Sequence, residues 1–263
     1  MRYTLIALLT LIFITSCSKS DDKEPAGSEV TAPPASLGLN SFYKKYVDAS
    51  GIPIVSSGQV ADEALLKARI IINDMVSNIA AEKQKMIQNK LRVGIIGINE
   101  RPTQMPEYSD LYTAFPGTDW DTRARAYGAT IQRPLTAAPE ESMLCKQSID
   151  WYKGEEILTH EFAHAIHELG IRFTNANFDS QLQAAYNHAV STGLWANTYA
   201  RTDVREYWAE GVQCWFNCNA EAIPTNGVHN NINTRAELQT YDSQLYALIS
   251  QYFSSENKKH GCY

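Results

Sequence analysis

His160-Glu161-Phe162-Ala163-His164 stands inside a segment with helical periodicity and decides how the rest of the chain is interpreted. A spacing of four places the two imidazoles on one face of a helix, one turn apart, where both can bind one metal ion. Glu161 then lies beside that ion, where it can accept a proton from a metal-bound water. The pattern therefore predicts a zinc peptidase, provided that the helix and a third ligand exist.

Apolar residues at helical spacing surround this motif and predict a helix from about residue 154 to residue 169. They are Leu158, Phe162, Ala165, Ile166 and Leu169. Glu155 and Glu156 would lie near its start, where negative charge suits the helix dipole, and Gly170 would end it. The alternative is an amphipathic helix with two incidental histidines, which the paired spacing and the intervening glutamate disfavour.

A catalytic zinc needs three protein ligands and one open position. His167 lies on the same helical face, but it is seven residues beyond His160, or roughly 10 Å along the axis, too far for one ion to bridge. We therefore expect His167 to lie at the surface or to support the site without binding the metal.

A second helix, predicted from about residue 203 to residue 217 with Thr202 as its N-cap, supplies better candidates. Its expected buried face consists of Val204, Trp208, Val212 and Trp215. Glu206 and Glu210 lie four apart on another face, so both can point at the histidine pair. Two carboxylates repel each other unless a cation or a histidine N–H separates them, so we expect one to bind the metal and the other to accept a hydrogen bond. The alternative is an exposed acidic face, because glutamate is usually solvated.

The histidine motif, followed about forty residues later by Tyr199, Glu206 and Glu210, resembles the lethal-factor-type gluzincins, a family of zinc metallopeptidases. The resemblance extends over residues 155–216 and implies that His160, His164 and Glu206 bind zinc. One departure is Ala163, where the family often has glycine; alanine is small enough to leave the metal site intact.

The same resemblance implies further roles and a fold. Glu161 would be the general base, Tyr199 would stabilise the oxyanion, and Glu210 would support the site without binding the ion. The fold would be a zincin-like α+β domain, with a small mixed sheet above the active-site helix and a mainly helical C-terminal subdomain. Peptides would bind by adding a strand to the edge of that sheet.

The N-terminus predicts export. Arg2 and an apolar run from Leu5 to Ile14 are typical of a secretion signal, here residues 1–16, too short to span a membrane as a mature helix. Ser16 before Cys17 resembles a bacterial lipobox, in which the cysteine is lipidated; the alternative is an ordinary cleaved signal. Residues 17–37 are rich in Ser, Asp, Lys, Glu, Ala and Pro and predict a flexible tether. We therefore expect the protein to be anchored to the outer membrane of the bacterial cell envelope, where it would be surface-exposed or later released.

The charge balance argues against nucleic acid as a partner. The chain has 23 basic and 29 acidic side chains, and loss of Arg2 with the signal would change the net charge from −6 to −7. No second long apolar run follows, so membrane contact is expected through the lipid alone. Residues 38–263 are expected to form one catalytic domain, with an N-terminal subdomain to about residue 170. The sequence leaves the oligomeric state open.

Four further cysteines, Cys145, Cys214, Cys218 and Cys262, predict one or two disulfides in an exported protein. Three pairings of the four are possible. A bond between Cys214 and Cys218 within a helix is disfavoured, so we expect one of them to pair with Cys145 or Cys262. A thiolate metal site is the weaker alternative in an oxidising compartment.

The remaining segments predict an α+β arrangement. Helices are expected at residues 61–77, 80–89 and 179–191, the last capped by Asp179, and a buried strand at residues 91–98. Residues 127–132 and 142–145 are weaker strand candidates. Thr234 and Glu237 form a capping box, and Asp242 is expected to cap a helix through about residue 253.

The sequence therefore favours a secreted, lipid-anchored zinc endopeptidase in which Glu161 activates a zinc-bound water. The alternative is a non-catalytic, substrate-binding surface lipoprotein that keeps a zinc-supported fold. Intact Glu161 and Tyr199 favour the enzyme, since a structural zinc site needs neither. Arg123 and Arg125 are candidates for binding a substrate carboxylate, although arginine more often forms salt bridges, and His229 is a candidate for a role near the cleft.

Overall fold

The computed structural model describes residues 29–262. The predicted signal peptide and Cys17 lie outside these residues, as does the tether up to residue 28. Thr31 exchanges backbone hydrogen bonds of 2.9 and 2.7 Å with Tyr46, and Ala35–Leu37 form a 3-10 turn. Within the described part of the predicted tether, Thr31 is therefore paired with the first strand of the sheet. Across residues 29–262 no helix has the length and apolar character needed to cross a membrane.

Within residues 29–262, four strands form one mixed sheet in the order β1-β2-β3-β4. They are β1 (Lys45–Ala49), β2 (Ile52–Ser56), β3 (Arg92–Ile96) and β4 (Leu135–Pro139). A tight turn at Ser50 and Gly51, both with positive φ, makes β1 and β2 antiparallel. The other two pairs are parallel, with Ile54 opposite Val93 and Arg92 opposite Leu135.

The described residues also form ten α-helices. They are α1 (Asp62–Met75), α2 (Ala80–Gln88), α3 (Leu111–Ala114), α4 (Trp120–Arg123), α5 (Glu140–Met143), α6 (Ile157–Ala165), α7 (Phe178–Ser191), α8 (Val204–Trp215), α9 (Arg235–Tyr241) and α10 (Ser243–Ile249). Every regular element after residue 170 within this range is helical.

The sheet is buried on both faces, because successive side chains of a strand point to opposite sides. Ile54 of β2 belongs to the main core with α1, α6 and α8, whereas the next residue, Val55, belongs to a smaller cluster with Tyr108 and Leu111. Parallel strands covered on both faces have nearly continuous apolar sequences, which is the pattern of β3. The main core therefore positions α6 directly against the sheet.

The mixed α+β class and several predicted elements are confirmed, including α1, α2, β3 and the capping box at Thr234. The prediction of a strand at residues 142–145 was wrong, since this segment contains the end of α5 and the turn after it. The strand expected at residues 127–132 is reduced to one bridge between Tyr127 and Ala137. β1, β2 and β4 were not predicted.

One disulfide joins Cys145 to Cys262, whose Cα atoms are 5.6 Å apart. Cys214 and Cys218 are free and buried, so the expectation that one of them pairs with Cys145 or Cys262 was wrong. Cys214 lies in the last turn of α8 and Cys218 lies three residues beyond its end, and both side chains are buried in the main core.

Candidate metal centre

Two helices, α6 and α8, carry the residues of the predicted site. α6 begins at Ile157, because the Glu156 side chain accepts a hydrogen bond from the backbone amide of Leu158 at 3.2 Å and so caps the helix. α8 is capped by Asp203, which accepts from the amides of Arg205 and Glu206; the predicted cap, Thr202, lies one residue earlier.

A buried hydrogen bond sets the register between the two helices. Trp208 Nε1 of α8 donates to the backbone oxygen of Ala163 in α6 at 3.0 Å. Ala163 lies between the two histidines of the motif, and Trp208 lies between the two glutamates. This bond therefore places the glutamate face of α8 opposite the histidine face of α6.

Three potential ligand atoms meet at this contact. His160 Nε2 lies 3.0 Å from Glu206 Oε2, His164 Nε2 lies 3.2 Å from the same oxygen, and the two Nε2 atoms are 3.2 Å apart. We call these three side chains the ligand triangle. They are the group that, within residues 29–262, could hold a metal ion.

Gln213 determines which nitrogen of His160 carries a proton. Its Nε2 donates to Glu155 Oε2 at 2.9 Å, so its Oε1 must face His160, whose Nδ1 lies 2.9 Å away. Since Oε1 can only accept, Nδ1 of His160 is the donor. In the neutral ring, Nε2 then presents a lone pair to the triangle.

The triangle suits a cation. The lone pair of His160 Nε2 points at the Glu206 carboxylate, an arrangement that is favourable only if a proton or a metal ion lies between them. Zinc bonds of about 2.0–2.1 Å in tetrahedral geometry separate two ligand atoms by about 3.3 Å, close to the observed spacings. Two imidazoles and one carboxylate are also a donor set that zinc accepts. The residues therefore fit zinc.

The pKa shifts describe the same centre without metal. Burial alone would lower the pKa of His160, but the hydrogen bond to Glu206 and the charges of Glu161, Glu210 and Glu206 raise it to about 10. Burial alone would raise the pKa of Glu206, but the two histidines hold it far below its ordinary value. A proton on His160 thus takes the place of a cation between these groups.

Glu161 follows His160 on α6 and makes no hydrogen bond to other residues of the described range. Burial raises its pKa, and the charge of Glu206 adds to this effect, while His160 and His164 oppose it. A carboxylate with a raised pKa accepts a proton more readily, as a general base must. Its environment therefore suits the predicted role.

Tyr199 lies in a 3-10 turn, Tyr199–Arg201, immediately before α8. Its backbone amide donates to the Val228 oxygen at 2.8 Å, and its ring lies 6.3 Å from the His160 ring. The side chain is 39% exposed, and the hydroxyl has no hydrogen-bond partner in the described part of the chain. Burial, followed by the charges of Glu206 and Glu161, raises its pKa to about 12, so at neutral pH the hydroxyl can donate a hydrogen bond.

Glu210 lies behind His160, but it is not the direct acceptor. Its Oε1 is 3.6 Å from His160 Nδ1, while its Oε2 accepts a hydrogen bond of 2.9 Å from Asn219. Gln213 makes the direct bond and was missed by the sequence interpretation. The signal was available, because residues 206, 210 and 213 lie on one face of the same helix.

His229 extends this arrangement into a closed ring of side chains. Its Nε2 lies 3.6 Å from Glu155 Oε1, and its Nδ1 lies 3.9 Å from Glu210 Oε2. Glu155 holds Gln213, and both Gln213 and Glu210 face Nδ1 of His160. Gln213, Glu155, His229 and Glu210 thus support His160, one corner of the triangle, from behind.

His167 has no part in the triangle. It is buried rather than at the surface, and its Nε2 lies 2.7 Å from Asp179 Oδ1. Its ring packs against Phe178 and Trp208. The prediction that it is not a ligand agrees with this position. Of its two expected locations, at the surface or in support of the site, the surface location was wrong.

No protein-family model matches the chain, and no curated protein matches its sequence. Among solved structures, the fold is similar to that of the Pro-Pro endopeptidase from Paenibacillus alvei, with 13% sequence identity and a TM-score of 0.49. The match covers 76% of this chain and 97% of that chain. A similarity at this level supports no conclusion about the site, which stands on its own geometry.

Proposed function

We propose that the protein is a zinc-dependent peptidase that holds its ion with His160, His164 and Glu206. The ligand triangle is the observation that supports this most directly: two imidazole nitrogens and a carboxylate oxygen lie within 3.2 Å of one another. A partly buried cluster of this composition needs a cation. The Glu161 carboxylate and the Tyr199 hydroxyl form no hydrogen bond with other residues in the range 29–262. Because a structural metal site needs neither group, their presence beside the triangle favours catalysis.

Zinc bound there would supply Lewis acidity, which polarises a carbonyl and lowers the pKa of a water. Glu161 would accept the proton of the attacking water and pass it to the leaving nitrogen, and its raised pKa suits both transfers. The Tyr199 hydroxyl would donate a hydrogen bond to the substrate oxygen as negative charge develops on it. Gln213 would keep the proton of His160 on Nδ1.

The proposal includes export and lipid attachment through Cys17, on the strength of the N-terminal sequence. The disulfide between Cys145 and Cys262 supports an oxidising compartment, because such bonds persist mainly outside the cytosol.

Metal analysis combined with peptide cleavage tests the function. Purified protein should contain about one zinc per chain. Glu206→Ala should lose most of it, whereas His167→Ala, which removes a buried histidine outside the triangle, should keep it. Retention of zinc by Glu206→Ala would overturn the ligand assignment.

Catalysis is tested separately with Glu161→Gln, which preserves shape and zinc but removes the base. Turnover of a peptide found by library profiling should fall by roughly 10²–10⁴-fold, with zinc content unchanged. If zinc-loaded wild type cuts no peptide, a non-catalytic binding lipoprotein becomes the better proposal.

A further inference from the structure

The structure separates the two arginines that the sequence offered as carboxylate binders. Arg125 is buried, and its guanidinium donates to Glu141 at 3.0 Å and to the backbone oxygens of Glu100 and Gly97 at 2.8 and 3.1 Å. Its donors are occupied by the protein itself. Arg125 therefore has a structural role and is not available to a substrate.

Arg123 has a different environment. It is exposed at the end of α4, and its guanidinium carbon lies 5.4 Å from the centre of the Trp120 ring. It forms no ion pair with any residue between 29 and 262. A guanidinium placed over an aromatic ring is restrained while its edge stays free, so it loses little entropy when a carboxylate binds.

Three contacts link the segment that carries Arg123 to the metal centre. The Tyr127 hydroxyl donates to the Trp120 backbone oxygen at 2.7 Å, and the Tyr127 backbone pairs with Ala137 of β4. The next residue, Gly128, approaches the histidine pair so closely that a Cβ atom there would lie 2.8 Å from the Cβ atom of His164. Trp120 and Tyr127 pack against each other under Arg123, and the residue after Tyr127 in the sequence, Gly128, lies against the proposed ligand His164.

The electrostatics of the cleft agree with this placement. Burial raises the pKa of Tyr127, and the charge of Arg123 is the next influence and lowers it. The charge of Arg123 also lowers the pKa of Tyr199, but burial and the charges of Glu206 and Glu161 have larger effects there. Tyr199 lies beside the ligand triangle, next to the carboxylates Glu161 and Glu206. A substrate carboxylate would be repelled near these glutamates and attracted towards Arg123.

We propose that Arg123, supported by Trp120 and Tyr127, forms a subsite for a carboxylate group of the peptide substrate, placed at a distance from the scissile bond. This inference rests on the proposed peptidase function. The carboxylate belongs either to an aspartate or glutamate side chain or to the C-terminus of the substrate. Both sources present the planar pair of oxygens that a guanidinium binds with two hydrogen bonds.

The test compares matched peptides with the zinc-loaded protein. Positions on either side of the bond that is cut are varied between Glu and Gln, and each peptide is made with a C-terminal acid or amide. At one of these positions or at the C-terminus, the carboxylate should raise kcat/KM by roughly tenfold, the size of a charge-assisted contact after screening by solvent. An effect at a side chain or at the terminus identifies the source, and either supports the subsite.

Arg123→Gln should abolish this preference, mainly by raising KM for the carboxylate peptide, while cleavage of the neutral peptide stays near wild type. Arg133→Gln is the matched control. Arg133 also lies over an aromatic ring, 5.5 Å from the centre of Phe115, but its charge is paired with Asp110 at 2.8 Å. The Arg133→Gln variant should keep the preference for the carboxylate peptide. An equal loss of this preference in both variants would overturn the proposal.

Binding to the Glu161→Gln variant separates this inference from the proposed function. Calorimetric titration of this variant with the same peptides should show tighter binding of the peptide that carries the carboxylate. The double variant Glu161→Gln, Arg123→Gln should bind both peptides equally. Cleavage without any carboxylate preference would overturn the subsite and leave the peptidase intact. If no peptide is cut, the peptidase proposal fails; binding that is equal with and without the carboxylate then overturns the subsite as well.

Discussion

Zinc binding to the metal-free protein should release about one proton, because the triangle holds a proton where the ion would sit. The pKa of His160 is raised from 6.5 to about 10 in the metal-free centre, so at pH 7 the ring is protonated. Zinc requires the neutral ring. Displacing the proton three pH units below its pKa costs about 4 kcal/mol, at 1.36 kcal/mol per unit.

The sign of the pH dependence follows from this competition. As pH rises from 7 towards 10, the proton is held less firmly, so the apparent zinc affinity should rise by about tenfold per pH unit. The stability of the metal-free protein changes in the opposite direction. The raised pKa of His160 contributes stability that is complete below pH 6.5 and is lost as pH rises through about 10.

Isothermal titration calorimetry in buffers of different ionisation enthalpy measures the protons released per zinc. Wild type and His167→Gln should both release about one proton at pH 7.5. In the metal-free protein, Glu206→Gln should lower the pKa of His160 in an NMR titration, because it removes the carboxylate whose hydrogen bond does most to raise that pKa. Zinc binding to wild type without proton release would refute the reasoning, since His160 would then be neutral before the metal arrives.

Three further predictions concern single residues, two beside the metal centre and one in the N-terminal sequence. Gln213→Ala removes the acceptor that fixes His160, so it should weaken zinc binding by roughly 10–100-fold in a chelator competition assay, and an unchanged affinity would show that the hydrogen bond is dispensable. Gly128→Ala places a Cβ atom 2.8 Å from His164, so the thermal midpoint of the zinc-loaded protein should fall by several degrees, whereas a midpoint equal to that of wild type would mean that the backbone moves freely there. Cys17→Ser should abolish labelling with a palmitate analogue, and equal labelling of the variant and wild type would identify another acceptor.

The parts of the site that the sequence predicts are those governed by spacing within one helix. His160 and His164 on α6, and Glu206 and Glu210 on α8, share a face because of the 3.6-residue repeat alone. Which glutamate would reach the histidines depends on the register between α6 and α8, which the bond from Trp208 to Ala163 determines. A contact between elements 45 residues apart in sequence leaves no local signal.

The errors have similar causes. Ser142–Cys145 resembles a short apolar strand, but Glu140 and Glu141 follow Pro139 directly and begin α5, while the Glu140 carboxylate accepts hydrogen bonds from the distant amides of Ala61 and Ile98. The β1–β2 hairpin was detectable, since Ser50-Gly51 separates two β-prone runs. The pairing of Cys145 with Cys262 was not detectable from the sequence, because cysteine spacing alone does not determine which cysteines pair.

The disulfide also has a consequence for how the protein is made. It closes a loop of sequence separation 117 that contains both helices of the metal centre, and Cys262 is the last residue of this loop to be synthesised. Next to it, His260 stacks on Phe216 and lies 2.9 Å from the hydroxyl of Thr159, the neighbour of His160. Closing a loop of this length is worth about 4–5 kcal/mol in the chain-entropy model. α6 and α8 are therefore synthesised before this bond can close, and production under reducing conditions would leave the C-terminal segment without its covalent link.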